Sequence, residues 1–260
     1  MKLKRIFAAV LAAAMLLSFA GCANKDTQGD SSEPAGEQTT EERTTEPQTN
    51  EDGSLVKPKN AVSVSDDVKI KTYSGTSLIE IGNRVMEPYG NAYKNMKAYA
   101  DALNRLKAEM PNTKAYCLMA PTAIEFYAPS KYNTGVSKSQ YEGMCYIYEQ
   151  LKDITPVNAY AEMAAHTDEY LYFRSDHHWT TLGAYYAYRT FAKVAGFTPV
   201  DKNTLQTGKL SPFLGLFYKD TKSTALSNDP DYVEYFIPPV NTTAIASDTD
   251  AAMSNSYSIK

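Results

Sequence analysis

Apolar residues recur at intervals of three and four between positions 91 and 110, which predicts an amphipathic helix. Its apolar positions are Met96, Tyr99, Ala100, Leu103, Leu106 and Met110. Residues 115–119 form a continuous apolar run that stops before Pro121, which is typical of a strand buried on both faces. Helical and extended patterns therefore follow each other in this part of the chain.

The same patterns predict further elements on both sides of this pair. They are strands at 77–81, 157–159, 170–173 and 232–237, and helices at 141–151 and 182–195. Thr180 and Thr181 can cap the last helix, and Gly196 ends it. Residues 201–230 are predicted to be loop with short helical turns, and 241–260 show no periodicity. Strands that alternate with helices in this way predict an α/β fold with a largely parallel sheet, whose ligands gather at the carboxyl ends of its strands.

The first residues of the chain have the pattern of an export signal. A basic start followed by a short apolar run predicts a secretory signal over 1–21, because the run is too short to span a membrane comfortably. Phe19-Ala20-Gly21-Cys22 looks like a bacterial lipobox, which would make Cys22 the lipidated N-terminus. An ordinary signal peptide with an incidental cysteine is the alternative. With lipidation, the protein is expected to be exported and anchored to the outer face of a bacterial cytoplasmic membrane.

A polar segment separates this signal from the folded region. Residues 22–60 contain nine acidic and four basic residues and almost no large apolar side chains before Leu55. Such a segment cannot bury enough surface to offset its ordering entropy, so we predict a disordered tether. The remaining residues, 61–260, are of the right length for one domain with one core.

Charge and cysteine content narrow the range of partners. The net charge is −4, which gives no electrostatic reason to expect nucleic-acid binding, and no cofactor is predicted. Cys117 lies in a predicted strand and Cys145 on a predicted helix. A disulfide between them and two buried free thiols are both open.

The run Asp176-His177-His178-Trp179 holds two of the three histidines and the only tryptophan. Side chains alternate in an extended segment, so Asp176 can reach the His178 imidazole while His177 points away. A carboxylate that fixes the tautomer of a histidine is the base half of a nucleophilic triad. A structural network that ties a loop to the sheet is the alternative.

Asp and His side chains in such a run can also ligate Zn²⁺ or Mn²⁺. Further ligands would have to come from elsewhere in the chain. His166 is the only other histidine, and although Asp168 and Glu169 are close to it, they show no ligand spacing. The sequence therefore predicts no metal site.

The chain resembles the DHHW protein family in three stretches. They are 172–186, with Asp-His-His-Trp followed by Thr-Thr-Leu-Gly-Ala; the region from Ile81-Gly82-Asn83-Arg84 to Pro121-Thr122; and Asp229-Pro230-Asp231-Tyr232-Val233-Glu234-Tyr235. That family is similar to the alginate O-acetylation proteins, which have SGNH-hydrolase-like domains. The resemblance implies an SGNH-hydrolase-like sheet flanked by helices. It also implies that Asp176 orients His178 as general base, and that His177 has no role.

The nucleophilic serine is where the chain departs from this pattern. In the relatives it follows a later strand, in a Gly-Asp-Ser-like or Asp-Ser-Tyr turn. The serines after the motif are Ser211, Ser223, Ser227, Ser247, Ser254, Ser256 and Ser258, and none follows an apolar strand in such a context. Ser256-Tyr257-Ser258 is only a superficial match. We therefore expect 61–260 to be a partial domain, incomplete at the carboxyl end, and this chain by itself to be inactive.

Four residues at predicted strand ends are candidate contacts for a substrate or an oxyanion. They are Asn83, Arg84, Thr122 and Arg174. In an extended segment Arg174 shares a face with Asp176, where it would bind an anionic group or neutralise that carboxylate. A purely structural role is the alternative for each of the four. Trp179 is expected to anchor the start of the next helix rather than to stack on a sugar.

Two functions follow from the resemblance. The first is acyl ester transfer or hydrolysis, with acetyl as the expected group, on an envelope or extracellular glycan or an acylated small molecule. In that reaction His178 takes the serine proton, Asp176 stabilises the imidazolium, and backbone amides hold the oxyanion. The second is a non-catalytic glycan- or surface-binding module of the same fold.

Overall fold

A computed structural model describes residues 57–134 and 137–240, together with the backbone of 242–246 and 255–259. The strands are β1 Ile70–Thr72, β2 Ile79–Ile81, β3 Arg84–Met86, β4 Tyr116–Leu118, β5 Thr155–Val157, β6 Gln206–Phe213, β7 Asp231–Ile237, β8 Thr242–Ala246 and β9 Asn255–Ile259. The helices are α1 Tyr93–Glu109, α2 Ala123–Tyr127, α3 Ser130–Thr134, α4 Gln140–Gln150, α5 Ala159–Ala164, α6 Thr181–Ala195, α7 Leu216–Thr221 and α8 Thr224–Asn228. All described residues belong to the compact unit Arg43–Lys260.

The first three strands form an antiparallel sheet in the order β1-β2-β3. Ile81 pairs with Arg84, so only Gly82 and Asn83 lie between β2 and β3. A two-residue connection closes a hairpin and requires antiparallel strands. The sheet reaches the Asp-His-His region because the Val85 amide donates to the Arg174 carbonyl over 3.0 Å.

Parallel pairing among the described residues is confined to β4 and β5, where Tyr116 lies opposite Thr155. The β6–β7 and β8–β9 pairs are antiparallel. The predicted α/β class is therefore confirmed, with small sheets flanked by helices, but the prediction of one largely parallel sheet is wrong. The loops that join β1 to β2 and β2 to β3 contain no helix, which suits antiparallel pairing, and β6 and β7 pair antiparallel although α7 and α8 lie between them.

The core is rich in aromatic side chains. Phe126, Tyr141, Tyr160 and Tyr172 lie in one cluster, and the Phe126 and Tyr160 ring centroids are 5.1 Å apart. Helices cover this core in pairs, α1 against α4 and α5 against α6. Within the described part of the chain, no helix combines the length and apolarity needed to cross a bilayer.

Most predicted elements are present, with ends shifted by a few residues. Thr180 caps α6 by accepting from the Gly183 amide over 3.3 Å, and Gly196 ends the helix in the left-handed conformation, as predicted. The strand expected at 170–173 is wrong: it is reduced to a single bridge between Tyr172 and Trp179. Strand β6 lies in a segment that was predicted to be loop, and its burial pattern is almost entirely exposed, which explains the weak apolar signal.

Several predictions concern residues outside this description. The signal segment 1–21, Cys22 and the tether as far as residue 56 lie outside the described residues, as do Ser247 and Ser254. Only the backbone is described for β9, which contains Ser256 and Ser258. The last residues assigned to the tether contact the domain: Lys57 Nζ lies 2.8 Å from Glu125 Oε1, and Asn60 donates to the Phe126 carbonyl.

Candidate active site

The motif lies in a short loop between Tyr172 and Trp179, which we call the Asp-His-His loop and define as residues 173–178. The two flanking residues form an antiparallel bridge. The Phe173 amide donates to the His178 carbonyl over 3.3 Å, and the Thr180 amide donates to the Leu171 carbonyl over 2.8 Å. These bonds close the loop at its base, and of its side chains those of His177 and His178 are exposed.

Asp176 and His178 form the pair that the motif predicted. The Asp176 Oδ1 atom lies 2.6 Å from His178 Nδ1 and also accepts from the His178 amide over 3.1 Å. The other oxygen, Oδ2, accepts from the Leu216 amide over 3.0 Å. A carboxylate on Nδ1 favours the tautomer with its proton there, which leaves the Nε2 lone pair available.

The two members of the pair differ in exposure. The side chain of Asp176 is 11% exposed and that of His178 is 65% exposed. Burial alone would raise the pKa of the Asp176 carboxyl, but hydrogen bonds from the Leu216 amide and from the ring and amide of His178, with the nearby His177 ring, outweigh it. The pKa of Asp176 is therefore lowered, and the carboxylate stays charged.

A second carboxylate, that of Asp231, accepts hydrogen bonds from the Asp-His-His loop. It is 1% exposed, and its Oδ2 atom accepts from the Arg174 amide, the Ser175 amide and the Ser175 hydroxyl over 2.6–2.9 Å. Its Oδ1 atom accepts from Arg174 Nε over 2.9 Å and from the Tyr170 hydroxyl over 2.5 Å. Five donors on one carboxylate fix the backbone that leads into Asp176.

Gly215 allows the chain before α7 to pass directly over Asp176. A Cβ atom at this position would lie 2.4 Å from Asp176 Cβ and 2.5 Å from Oδ2, closer than real Cβ atoms approach. The Gly215 amide donates to the Ser175 hydroxyl over 3.0 Å, and the next amide, that of Leu216, donates to the Asp176 carboxylate. The absent side chain therefore allows the hydrogen bond that helps to keep Asp176 charged.

Arg174 does not act on Asp176. Its Nε atom pairs with Asp231, its Nη1 atom with Asp229, and its Nη2 atom donates to the Pro230 carbonyl. The prediction that Arg174 shares a face with Asp176 is wrong because residues 174–178 are a series of bends rather than a strand. Asn83 also turns to this cluster and donates to Asp229 over 3.1 Å.

Arg84 and Thr122 have different surroundings. Arg84 donates to the carbonyls of Tyr172 and Phe173, and burial lowers its pKa. Thr122 exchanges two hydrogen bonds of 2.8 Å with the Gln140 amide group. Arg84 therefore supports the Asp-His-His loop from within the fold, whereas Thr122 also lines the pocket described next.

His177 does not point away from the pair. Its Nδ1 atom lies 3.7 Å from Asp176 Oδ1, and its ring centroid lies 3.9 Å from that of His178. The bends of the loop again explain this, because alternation of sides holds only in extended backbone. His177 also lines a pocket of about 220 Å³ together with Phe217. The prediction that it points away from the pair is therefore wrong, and that it has no role stays a prediction.

Three potential metal ligands meet in this loop. One ligand atom each from Asp176, His177 and His178 lies within 4.8 Å of the others. The shortest contact among them is the Asp176–His178 hydrogen bond, which occupies Nδ1 of His178. That bond, and not a set of converging lone pairs, organises the cluster.

In the described part of the chain, no serine, threonine or cysteine side chain is hydrogen-bonded to Nε2 of His178. Cys117 and Cys145 are both free thiols, and burial raises the pKa of each. Sequence reasoning missed Gly215 and the role of Asp231. A signal existed for Asp231, since Asp229-Pro230-Asp231 carried part of the family resemblance.

Comparisons with known proteins show which family the chain resembles. Residues 46–258 match the family model described as DHHW protein. A crystal structure of a DHHW family protein from Eubacterium siraeum matches with 30% identity and a TM-score of 0.61, over 68% of this chain and 58% of that one. The resemblance seen in the sequence is thereby confirmed. No match was found among curated proteins.

Two further solved structures match at lower identity. Bacillus cereus PatB1 with a sulfonyl adduct matches with 16% identity and a TM-score of 0.50, over 74% of this chain and 64% of that one. The O-acetyltransferase domain of Pseudomonas putida AlgJ matches with 14% identity and a TM-score of 0.43, over 66% of each chain. The chain thus spans 58–66% of the length of the structures that it resembles.

Proposed function

Because this chain belongs to the DHHW protein family, we propose that Asp176 and His178 are the acid–base pair of an acyl ester transferase or hydrolase. The observation that carries the proposal is the difference between the two imidazole nitrogens of His178. Nδ1 is bound to a buried, charged carboxylate, and the side chain that presents Nε2 is 65% exposed. A fixed tautomer with an accessible basic nitrogen is what general-base catalysis needs.

In the proposed reaction His178 first accepts a proton and then returns it. Nε2 of His178 takes the proton of an attacking hydroxyl as its oxygen bonds to the ester carbonyl carbon, and Asp176 stabilises the resulting imidazolium. When the carbonyl re-forms and the alkoxide leaves, the same nitrogen returns the proton to it. The attacking hydroxyl is proposed to be that of a serine outside the described residues, and the transferred group is proposed to be acetyl.

The same proposal includes a location and a substrate class. Lipidation of Cys22 would hold the protein on the outer face of a bacterial cytoplasmic membrane, and the polar tether over 22–56 would let the domain reach glycans of the cell envelope. An anchored domain of this kind would act on acylated glycans or on small acyl donors near the membrane. Mass spectrometry of the native protein for a diacylglyceryl group on Cys22 tests this part separately.

Activity of a matched pair of histidine variants tests the chemistry. Full-length protein from its native locus would be assayed for release of acetate from an acetylated oligosaccharide and for acetyl transfer from p-nitrophenyl acetate. His178→Ala should lower turnover by about 10²–10⁴-fold, whereas His166→Ala should leave the turnover of the folded fraction unchanged. Unchanged turnover in His178→Ala would contradict the proposal. Glycan binding without turnover in the wild type would instead favour the binding-module function.

A further inference from the structure

A pocket beside the Asp-His-His loop is separated from the catalytic pair by one imidazole ring. Its volume is about 220 Å³, and its lining includes Glu87, Tyr89, Thr122, Ile124, His177 and Phe217. His177 forms the shared wall, because its ring centroid lies 3.9 Å from that of His178. A group bound in this pocket would therefore lie beside His177, one imidazole ring away from His178.

The size and lining of the pocket suit a single small ring. Its volume of about 220 Å³ is ample for several water molecules and hence for a small ring. Ile124 and Phe217 are buried and form an apolar floor, while Glu87, Thr122 and His177 place polar groups at the rim. A pyranose ring has the matching shape, with C–H groups on its faces and hydroxyls around its edge.

The charge of the lining selects among sugars. Glu87 is the only acidic side chain in this lining, and no lysine or arginine contributes to it. None of the ion pairs in the described part of the chain involves Glu87. A carboxylate of this kind accepts hydrogen bonds from sugar hydroxyls and repels a carboxylate on the sugar.

The cations that could reverse this preference are used elsewhere. Arg84 donates to backbone carbonyls, and Arg174 is paired with Asp229 and Asp231. Lysines do line a second cavity, which contains Lys107 and Lys114, but that cavity lies at the amino ends of β4 and β5. Among the described residues that line the pocket, no cation is therefore available for an acidic glycan.

We infer that the pocket beside His177 binds a sugar ring without a carboxylate, which serves as the acyl acceptor of the proposed reaction. The statement that the bound sugar is the acyl acceptor rests on the proposed function. The binding preference itself can be measured without any acyl donor. Glu87 and His177 are then residues that determine specificity.

Binding of two trisaccharides to the full-length protein tests the inference. The probes are a trimer of N-acetylglucosamine, which is uncharged, and a trimer of mannuronate, titrated at low salt so that charges are weakly screened. The uncharged trimer should bind about 10-fold more tightly, because one like-charge contact at short range is removed. Glu87→Lys should abolish or reverse that ratio, and His177→Ala should weaken the uncharged trimer.

Glu109→Lys is the matched control, since it makes the same charge change at the exposed end of α1. It should leave the ratio within about 2-fold, because Glu109 is exposed and does not line the pocket, so that a charge there acts on the bound sugar only through solvent of high dielectric. Equal affinities in the wild type, no binding of either trimer, or an equal shift in both lysine variants would overturn the inference. Selective binding without acyl transfer would contradict only the catalytic proposal, and transfer without selective binding would contradict only the pocket assignment.

Discussion

Two histidines in this protein have a carboxylate oxygen 2.6 Å from Nδ1, but one side chain is exposed and the other is largely buried. His178 pairs with Asp176 and His166 pairs with Glu169. The side chain of His178 is 65% exposed, and that of His166 is 16% exposed. The distance alone therefore does not separate a catalytic histidine from a structural one.

The second nitrogen of each ring makes the difference. The His166 ring is stacked on Tyr186 with 3.9 Å between centroids, and its Nε2 atom lies 3.7 Å from a buried oxygen of Glu162, which is also paired with Arg189. Both nitrogens of His166 thus face carboxylates inside the fold. In His178 only Nδ1 does so, which leaves Nε2 for a substrate or a nucleophile.

The largest loss of stability is expected when Asp231 is removed, because this buried carboxylate holds the loop that carries Asp176 and His178. Asp231→Ala leaves Nε of Arg174 and the Ser175 and Tyr170 hydroxyls without their acceptor. Breaking a buried ion pair in this way costs about 3–5 kcal/mol, so the free energy of unfolding from urea denaturation should fall by that amount. Asp229→Ala removes the exposed partner of the same arginine and should change stability little. Equal losses in the two variants would refute a special role for Asp231.

The next prediction compares the stability of variants at the two histidines. His166→Ala removes a stacked ring and a partner of Glu169 and Glu162, which should lower the free energy of unfolding by about 1–3 kcal/mol. His178→Ala removes a mostly exposed ring and should leave that free energy nearly unchanged, although Asp176 loses one hydrogen-bond donor. Thermal and urea unfolding of both variants would check this. A larger stability loss in His178→Ala would mean that the exposed pair is structural.

A smaller effect is expected at Gly215, where the added methyl group of Gly215→Ala must displace the Asp176 side chain or its own loop. Overpacking of this kind should cost roughly 1–2 kcal/mol and lower the turnover of the folded protein, since Asp176 would move relative to His178. Gly90→Ala is the control for stability, because nothing lies within 4 Å of the added Cβ atom there. Similar unfolding curves for both variants would contradict the close approach at Asp176.

The smallest effect concerns acid stability. The pKa of folded Asp176 is lowered from its ordinary value of 3.8, so its charged form contributes stability that is complete above that value and is lost as the pH falls through the folded pKa. Asp176→Asn should lack this contribution. The stability advantage of the wild type over Asp176→Asn, measured by urea unfolding from neutral pH downward, should therefore shrink below about pH 4. An advantage that stays constant with pH would contradict the lowered pKa.

The sequence was sufficient for the long helices α1, α4 and α6 and for the contact between Asp176 and His178. Periodicity located α1 and α6, and the spacing of Asp176 and His178 predicted their contact. The contact between Asp176 and His178 is present, but it does not arise from the alternation of side chains in an extended segment. The loop is bent, and the His178 amide and ring both reach the same carboxylate oxygen through a local turn.

The supporting residues are beyond local pattern because they come from distant parts of the chain. Asp231 lies 56 positions from Ser175, and Leu216 lies 40 positions from Asp176. No periodicity links such pairs, and their partners become apparent only when the fold brings the segments together. Arg174 shows the converse problem, since two acidic residues far along the chain compete successfully with its neighbour Asp176.

The central claim is that Asp176 holds His178 with its proton on Nδ1 and with Nε2 free as a base. Long-range ¹H–¹⁵N NMR of the histidine rings distinguishes the two neutral tautomers directly, and His178→Ala assigns the signals. We predict that neutral His178 carries its proton on Nδ1, with an unprotonated Nε2 that responds to added substrate. A proton on Nε2 in the neutral ring would contradict the account, because Nδ1 could not then donate to Asp176 and His178 could not act as the base.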